Sequence, residues 1–179
     1  MLFRPLVQAD RATVARLFAG LSAQSRFRRF NTLRASLTDD QLTSLFDLDY
    51  HDRFAWAVEV TCDGLTTPVA VGRYARYIGS RRADVALTIR DHWQGRGLGG
   101  PLLDTLIITA HHHGFVAFDT IVSADNGPML HLLKQRGAEL TRSGAEVDAV
   151  LPLAAIVGQL AEHPLSRQLL RTVPEGPVT

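Results

Sequence analysis

A single cysteine in 179 residues, Cys62, excludes an internal disulfide and with it the class of small disulfide-built scaffolds. Cys62 stands between Thr61 and Asp63 at the end of a strand-like run, without the neighbours a nucleophile needs, and reads as structural. Charge of one sign is also lacking: 19 Lys+Arg against 18 Asp+Glu leave a net charge of +1. That is no footprint of a nucleic-acid binder. No apolar run approaches the length of a membrane span, and Met1 to Leu6, interrupted by Arg4, is too short for a secretory leader. Internal repeats and low-complexity linkers are absent as well. These absences set the expectations: a reducing, cytoplasmic location, with neither nucleic acid nor membrane as partner.

What is present is a 46% hydrophobic chain of single-domain length. Leu2 to Leu6 reads as a first strand. Asp10 is placed to cap a helix to about Leu21, with Val14, Leu17 and Phe18 on one face. Ser22 to Phe30 reads as a turn and short helix. Its basic cluster, Arg26, Arg28 and Arg29, reads as a solvated helix end. Thr38 and Gln41 form a capping-box pattern. Phe54–Thr61, Val69–Tyr77 and Ala83–Ile89 read as three strands, the first two joined by a turn at Asp63-Gly64. A helix follows from about Gly99 to His113, stopped by Gly114, then a strand, Phe118–Ser123. Asn126 or Gly127 caps a further helix, with Pro128 in its first turn, and Glu146–Leu153 reads as a late strand. The tail from Pro164 reads as loose. Consecutive strands followed by βαβ-like units predict an α/β chain with a mixed sheet and helices on both faces.

The segment Gln94-Gly95-Arg96-Gly97-Leu98-Gly99-Gly100 stands between a strand and a helix. Bare backbone N–H groups at such a helix start suit a phosphate-bearing ligand. Gly95 to Gly100 matches G-x-G-x-x-G, but five residues separate it from the strand, whereas a dinucleotide fold places its first glycine directly after the strand. Asp119 also falls at the start rather than the end of the next strand, so that reading is set aside. The alternative pattern is Gln94-x-x-Gly97-x-Gly99, followed beyond the next strand by Asn126-Gly127-Pro128-Met129.

That arrangement resembles the GCN5-related N-acetyltransferase (GNAT) family. Leu21 to Phe30, Leu48 to Arg53, Val71 to Tyr74 and Asp91 to Gly99 look more narrowly like the Pat-type protein-lysine acetyltransferases of bacteria. The resemblance implies a single GNAT domain over residues 1–155, with a mixed, mostly antiparallel sheet, and a C-terminal helix or tail over 156–179. It implies acetyl-CoA as co-substrate. The pyrophosphate would lie on the backbone of Gln94, Gly95, Arg96, Gly97, Leu98, Gly99 and Gly100. The pantetheine arm would meet the backbone of Leu87, Thr88 and Ile89, and Asn126. The acceptor it implies is an amine, first a protein lysine such as one on a metabolic enzyme. The alternatives are a small-molecule amine, or a domain that binds acyl-CoA without catalysis. The sensor or synthetase-like modules of other Pat-type proteins are not expected within these residues.

Acetyl transfer to an amine needs a base, because a lysine amine with a pKa of about 10.4 is protonated at neutral pH. Strand alternation puts Asp84 on one face with Ala86 and Thr88, within an apolar run that gives it reason for a raised pKa. The resemblance implies a glutamate at this position in many relatives; the aspartate is one methylene shorter, and a water relay covers the gap. It also implies that the position of a thiolate-protonating tyrosine is taken here by Leu133. His111-His112-His113 point about 100° apart on a helix and cannot converge on one ion, so no metal is expected.

Overall fold

The computed structural model describes residues 1–30, 36–62 and 64–160. The expected turn residue Asp63 and the tail from Pro164 lie outside the described residues. Seven strands form one sheet in the order β1-β2-β3-β4-β5-β7-β6. The strands are β1 (Leu2–Pro5), β2 (Arg53–Cys62), β3 (Leu65–Arg76), β4 (Arg82–Ile89), β5 (Ala117–Ser123), β6 (Glu139–Ser143) and β7 (Glu146–Pro152). Every pairing is antiparallel except β4 with β5. No helix among the described residues is long and apolar enough to cross a membrane.

Helices cover both faces because the strands are apolar on both. On one side α1 (Arg11–Ala19) and α3 (Asp39–Phe46) lay Val14, Leu17, Phe18, Leu45 and Phe46 against Ala55, Ala57 and Val71. The capping box at the start of α3 is formed: Gln41 donates its N–H to Thr38 Oγ1 at 3.2 Å, and Thr38 N–H reaches Gln41 Oε1 at 2.9 Å. Asp10 departs from expectation. It makes no side-chain cap for α1; its carboxylate accepts from the two terminal guanidinium nitrogens of Arg4, each at 2.7 Å, and from the Val7 N–H at 2.9 Å. Short-range ion pairing has replaced the cap, and α1 stops at Ala19, before Leu21.

On the other side α4 (Gly99–His112) lies across the sheet with α6 (Ala154–Leu160) beside it. Leu102, Leu103, Leu106 and Ile107 bury against Trp56, Tyr74, Val85 and Phe118. The boundary expected at residue 155 falls inside α6, whose Ile156 is buried in this core. β6 was not read from the sequence. It is an edge strand, almost wholly exposed, joined to β7 through Gly144 at φ 62°. A polar edge strand leaves no apolar alternation to read.

Gly72 sets how close α4 approaches. A Cβ there would lie 2.8 Å from Leu106 Cδ1 and 3.0 Å from Leu102 Cγ. Valine favours strands, yet Gly72→Val is expected to destabilise the domain by about 1–3 kcal/mol through overpacking. A urea midpoint that falls carries the point; an unchanged or higher midpoint contradicts it.

Candidate active site

β4 and β5 pair only at Arg82↔Ala117 and Ala83↔Phe118, and then part. Which backbone groups this exposes follows from the β3–β4 ladder. Arg90 N–H donates to Val69 O at 2.9 Å, and Tyr77 N–H to Arg82 O at 3.0 Å. Hydrogen-bonded pairs alternate along an antiparallel ladder, so Asp84, Ala86 and Thr88 also turn their backbone groups to β3. Val85, Leu87 and Ile89 turn theirs into the gap. There the Val85 carbonyl accepts from Thr120 Oγ1 at 3.1 Å, and the Ile89 carbonyl from Gln94 Nε2 at 3.0 Å. The N–H groups of all three residues and the Leu87 carbonyl face an open cleft of about 580 Å³.

At the wide end of this gap the chain makes a 3-10 turn, Asp91–Trp93, and enters α4 through the glycine segment. Gly95 and Gly97 hold φ of 71° and 78°. That left-handed region costs an L side chain about 1 kcal/mol or more, which explains glycine at both positions. The N-cap of α4 is Leu98, which caps nothing, and Pro101 has no N–H to give. The first turn of a long helix thus opens onto the cleft with bare donors and the positive end of its dipole. Asp84, at the narrow end, lines the same cleft.

No protein-family model matches the chain. Curated proteins do match it, among them the following two. Acetyltransferase Pat of Mycolicibacterium smegmatis is 34% identical over 146 residues, covering 78% of this chain and 41% of that protein. Acetyltransferase PA5475 of Pseudomonas aeruginosa is 33% identical over 132 residues, covering 74% of this chain and 71% of that protein. The chain belongs to the GNAT acetyltransferase family and is Pat-like. It spans about two fifths of the length of the M. smegmatis relative. The crystal structure of the GNAT domain of S. lividans PAT shares the fold, with a TM-score of 0.75 over 84% of this chain and 89% of that one, at 23% identity.

Within this GNAT domain the residues singled out from the sequence take distinct places. Leu87, Ile89, Gly95, Gly97, Leu98, Gly99 and Gly100 line the cleft. Thr88 lines it too, but its backbone pairs with Val71 of β3, so it offers a side chain rather than the expected amide. Gln94 N–H is spent on Asp91 O at 3.1 Å. Its contribution is the side chain, which fixes the Ile89 carbonyl. Arg96 lies outside the wall, stacked over Trp93 with 5.0 Å from its guanidinium carbon to the ring centroid. Asn126 lines the cleft and caps α5 (Gly127–Gln135), accepting Met129 N–H at 3.4 Å. Leu133 is fully buried in the core.

The surroundings of Asp84 differ from the apolar ones expected. Arg29 on α2 (Ala23–Phe30) and Arg73 on β3 are both close enough for its charge to favour their protonated forms. Burial opposes this, holding Arg73 below the usual arginine range and bringing Arg29 down to about 10. The basic cluster of α2 is therefore not a solvated helix end. Arg28 and Arg29 line the cleft, and Arg28 crosses to the β5–α5 loop, donating to Asp125 O at 2.8 Å. Periodicity could place these arginines on a helix but could not say that the helix faces a gap between strands.

A polar chain ties α2 to the glycine segment. Asp91 accepts Ser22 N–H at 2.8 Å, Ser22 Oγ at 2.9 Å and Ser25 Oγ at 2.6 Å. Gln94 Nε2 reaches the same Ser25 Oγ at 3.1 Å. These bonds hold Asp91 below its ordinary pKa, against the desolvation that works the other way. The histidine run makes no metal set: no group of three candidate ligands occurs among the described residues. His113 turns inward, with Nδ1 2.7 Å from Tyr74 Oη and its ring stacked on His51. Burial, and after it the neighbouring His51 and His112, push its pKa down to about 4, so it is neutral at pH 7.

Asp91→Ala is expected to release both α2 and Gln94 and to weaken acetyl-CoA binding about three- to thirtyfold, the loss of one or two charge-assisted hydrogen bonds at an exposed site. Calorimetric titration measures it. A dissociation constant equal to wild type contradicts the coupling.

Proposed function

We propose that this domain transfers an acetyl group from acetyl-CoA to an amine, with a protein lysine as the acceptor. One observation carries the reading: the unpaired edge of β4 and the uncapped glycine start of α4 open into one cleft that ends at Asp84. The two ends suit the two ends of the co-substrate. The bare helix start takes a pyrophosphate. From Ile89 to Asp84 the strand runs about 17 Å, at roughly 3.3 Å per residue. Along it the Leu87 N–H and C=O and the Ile89 N–H are ready to add an amide-bearing arm to the sheet edge, as a strand would. The thioester then arrives beside Asp84.

The chemistry asks little more of the protein. The amine nitrogen attacks the thioester carbon, an amide bond forms, and the carbon–sulfur bond breaks. Asp84, directly or through a water, takes the proton the amine loses. Negative charge gathers on the thioester oxygen in the transition state, where the free N–H groups of β4 are the donors at hand. Leu133, buried in the core, cannot protonate the departing sulfur. A thiol with a pKa of about 8.5 leaves as thiolate without help. A protein acceptor is supported by the Pat-like sequence and by exposed apolar side chains around the Asp84 end: Ile121 in the cleft wall, and Tyr77 and Ile78 on the preceding turn.

Asp84→Asn is expected to lower kcat by about 10²–10⁴, the usual worth of a positioned base, with acetyl-CoA affinity retained. Thiol release on a panel of protein and small-amine acceptors checks the first part, and calorimetry the second. Unchanged turnover removes Asp84 from the mechanism. Binding without turnover on any acceptor by wild type favours a non-catalytic acyl-CoA-binding domain.

A further inference from the structure

The charges near Asp84 are not those of a pocket for an ammonium alone. Most arginines in this region are matched. Arg53 pairs with Asp47 and Asp49, each at 3.0 Å; Arg82 with Asp119 at 2.8 Å; Arg76 with Asp52 at 2.8 Å; Arg28 with Asp125. Arg73 is the exception. It makes neither hydrogen bond nor ion pair among the described residues, although it is half-buried. Its place is set by register. Arg73 stands opposite Ala86, two residues along β4 from Asp84 and on the same sheet face. Such diagonal neighbours lie roughly 7 Å apart, within reach of a long side chain. Arg29 brings a second guanidinium to the same carboxylate from α2. Burial already works against the charge of Arg73, so an anion placed against it would be strongly held.

Resting on the acetyltransfer reading, we infer that the acceptor is an amine carrying a carboxylate nearby, with the nitrogen delivered to Asp84 and the carboxylate bound by Arg73. A planar guanidinium takes a carboxylate through two parallel hydrogen bonds, which fixes orientation as well as position. An acceptor bearing only further positive charge is repelled by Arg73. Two sources present the required chemistry: a lysine flanked by an acidic residue in a protein, and a small amino acid with its own carboxylate.

The test uses two pairs of acceptors, a peptide with lysine between glutamates against its glutamine counterpart, and free amino acids against their amides. Wild type is expected to favour the carboxylate member of one pair about ten- to hundredfold in kcat/KM, the worth of a charge-assisted hydrogen bond. The pair that shows the preference identifies the source. Arg73→Gln is expected to erase the preference while acetyl-CoA binding persists, and Arg73→Lys to restore part of it. Equal rates within both pairs, or a preference that survives Arg73→Gln, overturns the inference. Failure of all four acceptors overturns it as well. If acetyl-CoA still binds in that case, the cleft reading stands without the acceptor; if it does not, that reading falls first.

Discussion

Two residues of pairing hold β4 to β5, and beyond Ala83 the strands separate with the backbone groups of Val85, Leu87 and Ile89 turned into the gap. A sheet interior does not leave such groups open without cause, because an unmet buried donor or acceptor costs about 1–3 kcal/mol. The structure meets part of the demand from within, through Thr120 on the Val85 carbonyl and Gln94 on the Ile89 carbonyl. What remains is a short row of amide groups shaped to pair with an extended ligand. The cleft, the helix start behind it and the carboxylate at its far end are all arranged around that row.

The parts that keep the gap open are packed tightly. Gly72 lets α4 settle directly on β3, and Trp56 reaches across to Thr109 with a 3.0 Å hydrogen bond from its ring nitrogen. On the opposite face polar ties hold α2, Ser22 and Ser25 to Asp91 and Arg28 to Asp125. The packed side thus fixes one wall of the cleft, and the polar side carries Arg29 toward Asp84. Because Gln94 shares Ser25 with Asp91, the glycine segment and α2 are physically linked.

The sequence made legible those features whose physics is local. Gly95 and Gly97 sit where positive φ demands glycine, Thr38 and Gln41 form their cap within one turn, and alternation in β4 sorts Asp84 from Val85. Features that depend on distant partners were not legible. Asp10 has the chemistry of a cap, but Arg4 claims it. The basic cluster of α2 has the look of solvent exposure, but the helix lies over the gap. Gln94 offered a backbone donor on paper, and its N–H closes the 3-10 turn. The polar edge strand β6 has one apolar residue, Leu140, and no alternation to read. The role proposed for Arg73 lay deepest: it rests on a register, on the pairing of its neighbours, and on the lack of a hydrogen bond or ion pair of its own among the described residues.

The proposed function requires that the open edge of β4 and the start of α4 together receive acetyl-CoA. Amide chemical shifts of the isotope-labelled domain, followed as acetyl-CoA is added, test it most directly. Saturating shifts are expected at the N–H groups of Leu87, Ile89, Gly97, Leu98, Gly99 and Gly100, with the amides of Ala86 and Thr88, which face β3, moving much less. Saturable binding that leaves the β4 amides still, or that moves both sets alike, would contradict it.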